Sequence, residues 1–228
     1  MKPLSDNKKR QPLSRERILQ AALRLADRKG IPSLSMRTLA AALGVEAMSL
    51  YKHVRNKDDL LDQLVDHVVA TIELPLPSTP WRDAMRTRAR SARRAFLAHP
   101  WSATLFESRL RRPTPVRLHY ADTLLGLLRG GGFSVSEAYR AFLLLDSYLY
   151  GFVQQEISWA VGDEDASREA REAGEHASLD AYPHLAAVTA FVARSGEGGQ
   201  PVMLSDLFDH GLEIVLDGLE GLRGEGTE

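Results

Sequence analysis

The stretch LSMRTLAAALGVEAMSLYKHVRNKDDLLD, residues 34–62, decides how this chain folds. Ser35 stands where a short helix would be capped, with Leu34 and Leu39 at the two positions that brace such a start. Leu39, Ala42 and Leu43 recur at helical spacing and face inward. Gly44 follows, the residue type that ends a helix in a left-handed turn. A second short helix is expected from about Ala47 to Val54, burying Leu50 and Val54, four residues apart. Asn56 then caps a long helix, with Asp58 and Asp59 in its first turn, where the macrodipole favours acids. This is the layout of a helix-turn-helix, and it makes double-stranded DNA the first partner to test.

The side chains left facing outward suit that partner. A recognition helix must enter a groove about 12 Å wide, so the helices behind it must pack closely; Ala40, Ala41 and Ala42 are small enough to allow it. Arg37 is placed to reach guanine O6 and N7. Ser49, Tyr51, His53 and Lys57 are phosphate-binding types, and the free amides after Ser35 and Asn56 add to them. Lys52 can reach a base or a phosphate. Ala47 and Met48, at the tip of the second helix, suit thymine methyl groups.

The charge distribution agrees. The 228 residues carry a formal net charge of -1, but residues 1–60 hold 13 Lys/Arg against 6 Asp/Glu, and residues 61–228 hold 16 against 24. A basic head on an acidic body is the electrostatic footprint of a nucleic-acid-binding domain joined to a domain with another task.

Outward from the motif, Ser14 caps a first helix that carries Ile18, Ala22 and Leu25 inward and ends at Lys29-Gly30. Residues 1–12 read as a basic, mobile arm. The helix begun at Asn56 continues through Leu60, Leu61, Leu64, Val68, Val69 and Ile72. The LPLPSTP break at 74–80 then separates a head, residues 13–73, from a body, residues 74–228. Further helices are expected at about 81–98, 101–110, 115–130, 135–161, 180–194 and 204–222. The acidic stretch 162–178 reads as a surface loop or disordered segment, and 195–201 as a flexible link. No strand alternation or internal repeat is evident, so the chain reads as all-α.

Enzymatic chemistry finds little support. With no cysteine, disulfides, thiolate nucleophiles and cysteine zinc sites are excluded. There is no Gly-x-Ser-x-Gly elbow and no Walker loop; RGGGFS at 129–134 lacks the lysine and reads as a helix stop. EAGEH at 172–176 lacks the first histidine of a metalloprotease string, and the seven histidines include no pair four apart. The expectation is no enzyme, no metal and no cofactor. The N-terminus has no apolar signal-peptide core and no run approaches 18 apolar residues, so a cytoplasmic protein without membrane association is expected.

From Ser14 to about Ile72 the sequence resembles the DNA-binding domain of TetR-family transcriptional regulators. The resemblance is carried by ILQAA (18–22), LSMRTLA (34–40), LGV (43–45), SLYKHV (49–54) and NKDDLL (56–61), and is closest to the tetracycline-repressor branch. GFVQQE at 151–156 and FDHGLEIVLDGL at 208–219 extend it more loosely, the latter resembling that branch's dimerisation helix. The resemblance implies DNA contacts from Ser35, Arg37 and Thr38, then from Ala47, Met48, Ser49, Tyr51, Lys52 and His53, with Lys57 holding a phosphate. One departure matters: the branch has Gln-Pro where this chain has Ala47-Met48, so its operator does not carry over.

The resemblance also implies a palindromic operator, a homodimer and a small-molecule effector. Half-sites about 34–36 Å apart need two heads. The apolar faces of 135–160 (Ala138, Phe142, Leu145, Leu149, Phe152, Ile157) and 204–222 (Leu204, Leu207, Phe208, Leu212, Val215, Leu216, Leu219) suit a four-helix interface with a second copy; the alternative is that both pack within one chain. Trp101, Phe106, His119, Tyr120, Tyr148, Tyr150, Phe152 and Trp159 lie on the helices that surround the family's ligand cavity, which suits a small hydrophobic or aromatic ligand. Magnesium–tetracycline is not expected: Glu73 occupies the position of the branch's first effector-binding histidine, and residues 101–112 contain none. The expected function is a repressor released by its ligand. An activator or effector-independent regulator on the same fold, or a helical scaffold without a DNA role, are the alternatives.

Overall fold

The computed structural model describes residues 12–109, 112–160, 181–196 and 204–224, and every regular element among them is helical. In chain order these are α1 (Arg15–Lys29), a single 3-10 turn (Ile31–Ser33), α2 (Met36–Leu43), α3 (Ala47–Leu50), α4 (Lys57–Ala70) and α5 (Trp81–Ala98). They continue with α6 (Trp101–Arg109), α7 (Pro115–Gly130), α8 (Val135–Ala160), α9 (Pro183–Gly196) and α10 (Leu204–Leu222). The all-α expectation holds. The N-terminal arm and the acidic stretch 162–178 lie outside the described residues.

Local chemistry sets the boundaries. Ser14 Oγ accepts the Arg17 amide at 3.2 Å and opens α1; Asn56 Oδ1 accepts the Asp59 amide at 2.8 Å and opens α4. Gly44 sits at φ 66°, ψ 38°. This left-handed residue lets the Val45 amide reach back to the Ala40 carbonyl at 3.1 Å while its own amide bonds Ala41 at 3.2 Å, satisfying two carbonyls that the helix end would orphan. The second helix of the motif is shorter than the expected 47–54. Beyond Leu50 the chain tightens: His53 bonds the Leu50 carbonyl three residues back, and Val54 bonds the same oxygen. An α-turn passes into a turn of 3-10 character, still long enough to bury both Leu50 and Val54.

The chain gathers into two compact units. The first holds residues up to Thr71 together with Ala98–Leu118. Its core is Ile18, Ala22, Leu34, Leu39, Leu50, Val54, Leu60 and Leu64, with Trp101 and Leu105 of α6 packed against it. Each such fully buried leucine or isoleucine contributes roughly 1.5–3 kcal/mol of apolar burial. Thus α6 is built into the same core as α1–α4.

The second unit holds Ile72–Leu97 and the residues from His119 onward. Within it, Trp81 meets Phe133 edge to face at 4.9 Å between centroids, and α8 packs on α10 through Tyr148, Phe152 and Phe208. Most of the apolar residues expected on a dimer face serve this intramolecular packing instead. Ala138, Leu145 and Leu149 of α8 and Phe208, Leu212, Leu216 and Leu219 of α10 are buried within one chain. Among the described residues, the large apolar side chains these helices leave exposed are Val135, Tyr139, Leu143, Leu144, Leu207 and Ile214. The α8 helix carries apolar residues on two faces, and periodicity does not say which face meets its own chain.

Candidate nucleic-acid interface

The α2 helix is anchored by a reciprocal cap. Ser35 Oγ accepts the Thr38 amide at 3.1 Å, and Thr38 Oγ1 accepts the Ser35 amide at 2.9 Å. The Thr38 hydroxyl lies 3.0 Å from each of the Ser33 and Ser35 carbonyls, to which it can donate. Both side chains therefore hold the start of α2, and the adjacent Arg37 stays exposed. On α3 and the turn after it, Met48 is 74% exposed and Tyr51 46%. Lys52 is exposed, and Ala47, Ser49 and His53 are half-buried. Leu50, between these groups, is fully buried and pins the surface to the core.

At the start of α4 the side chain of Asn56 occupies the Asp59 amide, and the amides of Lys57 and Asp58 have no intrahelical acceptor. Lys57 is exposed beside them. Among the described residues no carboxylate pairs with Arg37, Lys52 or Lys57, whereas Arg55 closes on Asp59 at 3.1 Å. Unpaired cations, amides without acceptors and an apolar tip on one rigid trihelical core are the donor set for a phosphate-lined groove.

The expected ligand-cavity residues fall into separate settings. Trp101 and Phe106 belong to the first unit, where the Trp101 indole N–H donates to Asp27 at 2.7 Å beside the His99 ring, 2.8 Å from the same oxygen. His119 is exposed. Tyr148 donates to the Phe208 carbonyl at 2.7 Å and, with Phe152, forms the α8–α10 aromatic cluster. The side chain of Trp159 lies outside the described residues.

Tyr120 takes part in a buried polar cluster that the sequence did not suggest. The Arg88 side chain, 2% exposed, donates through Nε to the Tyr120 hydroxyl at 2.5 Å and through Nη2 to Asp146. Burial pushes the Tyr120 hydroxyl up to about 12, and burial raises Tyr150 in the same cluster well above the ordinary tyrosine range. A signal did exist: Arg88 is in register with Ala84 and Ala92 on the buried stripe of α5, and Asp146 interrupts an apolar run. Its four neighbours on α5 that find acids, Arg82, Arg86, Arg90 and Arg93, pair with Glu213 and Asp217, with Glu213, with Asp209 and with Glu156.

Residues 18–64 match the family described as "Bacterial regulatory proteins, tetR family", and residues 74–223 match "Tetracyclin repressor-like, C-terminal domain". The chain belongs to the TetR family. It is 33% identical to an HTH-type transcriptional regulator of Saccharopolyspora erythraea over 98% of this chain and 91% of the relative. It is 32% identical to the HTH-type transcriptional repressor DrrR1 of Streptomyces coeruleorubidus, covering 94% of this chain and 82% of that one. Among solved structures, the TetR family protein ActR of Streptomyces coelicolor, in complex with actinorhodin, is 29% identical with a TM-score of 0.73, covering 95% of this chain and 99% of that chain. Like other TetR regulators, the chain carries a helix-turn-helix for DNA, here α2 and α3. No helix among the described residues is long and apolar enough to cross a membrane.

Proposed function

We propose that this TetR-family protein is a homodimeric cytoplasmic repressor, its two heads holding a palindromic operator until a small aromatic or hydrophobic molecule releases them. Residues 13–73 form the DNA-binding head and 74–228 the regulatory body. The observation that carries this reading is the outward face of α2, α3 and the start of α4: Arg37, Met48, Tyr51, Lys52, His53 and Lys57 stand around a buried Leu50, with no carboxylate among the described residues paired to Arg37, Lys52 or Lys57. Ser35, Thr38, Ala47 and Ser49 complete the contact surface.

The exposed apolar residues of α8 and α10 support the dimer. Leu144, Ile214, Val215, Gly218, Leu219 and Leu222 line a shallow apolar groove of about 330 Å³ on the second unit, and Ile214 is 60% exposed. Apolar patches of this kind mark association surfaces. An effector reading is supported by ActR, solved in complex with actinorhodin.

The test is footprinting on the DNA flanking the protein's own coding region, with a reporter to give the sign of regulation. The expected result is a protected palindrome, reporter output lowered by the protein, and affinity falling steeply with salt. Actinorhodin is the first effector probe. Absence of protection at any flanking DNA, with a folded dimer in hand, overturns the DNA reading. Raised reporter output overturns repression. A monomer by sedimentation at micromolar concentration overturns the dimer.

A further inference from the structure

The α4 helix carries Asp58, Asp62 and Asp66 at four-residue spacing, hence on one face. Two buried arginines grip that face, one from the end of α6 and one from the first turn of α7, all within the first unit. Arg109 donates to Asp58 Oδ1 and Asp62 Oδ1, each at 2.9 Å, and to the Asp58 carbonyl at 3.2 Å. Arg117 donates to Asp62 Oδ1 at 2.9 Å and to Asp66 Oδ1 at 2.8 Å, and bonds the Arg109 carbonyl at 2.8 Å. Arg112 stands 3.5 Å from Asp58. The Nε of Arg109 is buried with no acceptor among the described residues, so its terminal nitrogens carry the whole interaction.

Burying two guanidinium groups to meet three carboxylates is a poor route to stability, because desolvation offsets most of the attraction. It does fix position and cancel charge. Asp58 directly follows Lys57 in the first turn of α4. A carboxylate there suits the helix macrodipole, but it opposes any phosphate brought to the same helix end. The Arg109 hydrogen bond is the main reason the Asp58 carboxyl sits below its ordinary range, so the charge is present and must be neutralised from the protein side.

We propose that Arg109, which lies on α6 outside the helix-turn-helix, is a positioning residue for operator binding. It holds and neutralises Asp58 so that the start of α4 presents Lys57 and two free amides to a DNA phosphate, with Arg117 fixing the rest of the same α4 face. This rests on the reading of Lys57 as a phosphate contact.

The test compares Kd and its salt dependence on the footprinted operator for wild type, K57A, R109Q, D58N and R109Q/D58N, with thermal unfolding of each. R109Q is expected to weaken binding about tenfold, as a carboxylate left with the exposed Arg112 as its remaining cation near a phosphate at intermediate dielectric allows. Its salt slope stays that of wild type because Arg109 touches no phosphate, whereas K57A lowers the slope by about one. D58N alone is expected to tighten binding about threefold. R109Q/D58N is expected to recover wild-type affinity without recovering thermal stability, since Asp62 remains short of a partner; a purely structural Arg109 gives no such split. Wild-type affinity in R109Q, a reduced salt slope in R109Q, or weaker binding in D58N overturns the proposal. D58N keeps this decision open to measurement even if R109Q does not fold. Wild-type binding by K57A instead removes the phosphate contact on which the proposal stands.

Discussion

Tyr148 closes on Gly211. Its hydroxyl donates to the Phe208 carbonyl at 2.7 Å, and a Cβ placed at 211 would lie 2.4 Å from that hydroxyl and 2.9 Å from the ring carbon that bears it. The missing side chain is what lets α8 and α10 meet here. Gly211→Ala should therefore cost about 1–3 kcal/mol, the usual penalty of overpacking, even though alanine favours helix over glycine. Tyr148→Phe in the same background removes the closest clash and should recover part of the loss in urea unfolding. A stabilised Gly211→Ala protein would mean that the two helices are free to separate.

The arginines of α5 give a contrast in magnitude. Glu213 pairs with Arg86 at 2.6 Å and with Arg82 at 3.3 Å, but all three side chains are substantially exposed. Solvent screens such pairs, so Glu213→Gln should cost less than about 1 kcal/mol and less still at high salt. Arg88 is different: its removal leaves Asp146 buried without its cation. Arg88→Met should cost about 3–5 kcal/mol, and Arg88→Met/Asp146→Leu markedly less than the single change. Equal losses for Arg88→Met and Glu213→Gln in urea unfolding would contradict this ordering.

The two kinds of arginine also show what a sequence can disclose. Ser35, Gly44 and Asn56 are local devices, each acting within a few residues, so caps and turns were legible before any fold was known. The charge split and the exposed Met48, Tyr51 and Lys52 were legible for the same reason. Arg88 finds Asp146 58 residues away, and Arg109 finds Asp58 51 residues away. Nothing local distinguishes Arg109 from the exposed Arg112 that follows it, and register with the apolar stripe is all that distinguishes Arg88 from the exposed Arg90 and Arg94 on α5. Ala138, Leu145 and Leu149 of α8 read equally as interface or core, because burial against the same chain and burial against a second copy leave the same pattern; the structure buries these three within one chain. The packing of α6 into the core of the head is likewise a tertiary fact, with no signature in its own sequence.

The buried tyrosines predict an alkaline weakness. Burial raises Tyr120 from 10.0 to about 12, so between those two pH values the folded protein holds a proton that the unfolded chain has released. Folded stability is then fully present below about pH 10 and declines as pH rises toward 12. A shift of this size amounts to roughly 2–3 kcal/mol. Tyr120→Phe should be less stable than wild type at neutral pH, because Arg88 loses an acceptor, yet show a shallower alkaline decline. Urea midpoints measured from pH 8 to pH 11.5 check the slope. Parallel declines in both proteins would exclude Tyr120 as the titrating group.

The proposed DNA-contacting surface carries two chemically different groups. Lys57 is a point charge beside free amides, whereas Met48 is an apolar side chain 74% exposed at the tip of α3. Contacts to phosphate carry no sequence information, and contacts to base edges do. Lys57→Ala should weaken binding to all DNA alike, with the salt slope falling by about one. Met48→Ala should leave the slope unchanged and lower the preference for the operator over its variants, by about 1–3 kcal/mol at the base pairs it meets. Those base pairs should be A·T, because the thymine methyl is the apolar group that the major groove offers to such a side chain. Affinities for a set of single-substitution operators, measured for both variants at two salt concentrations, decide the matter. A uniform loss in Met48→Ala would place this side chain against the backbone and move base reading to Arg37 and Lys52.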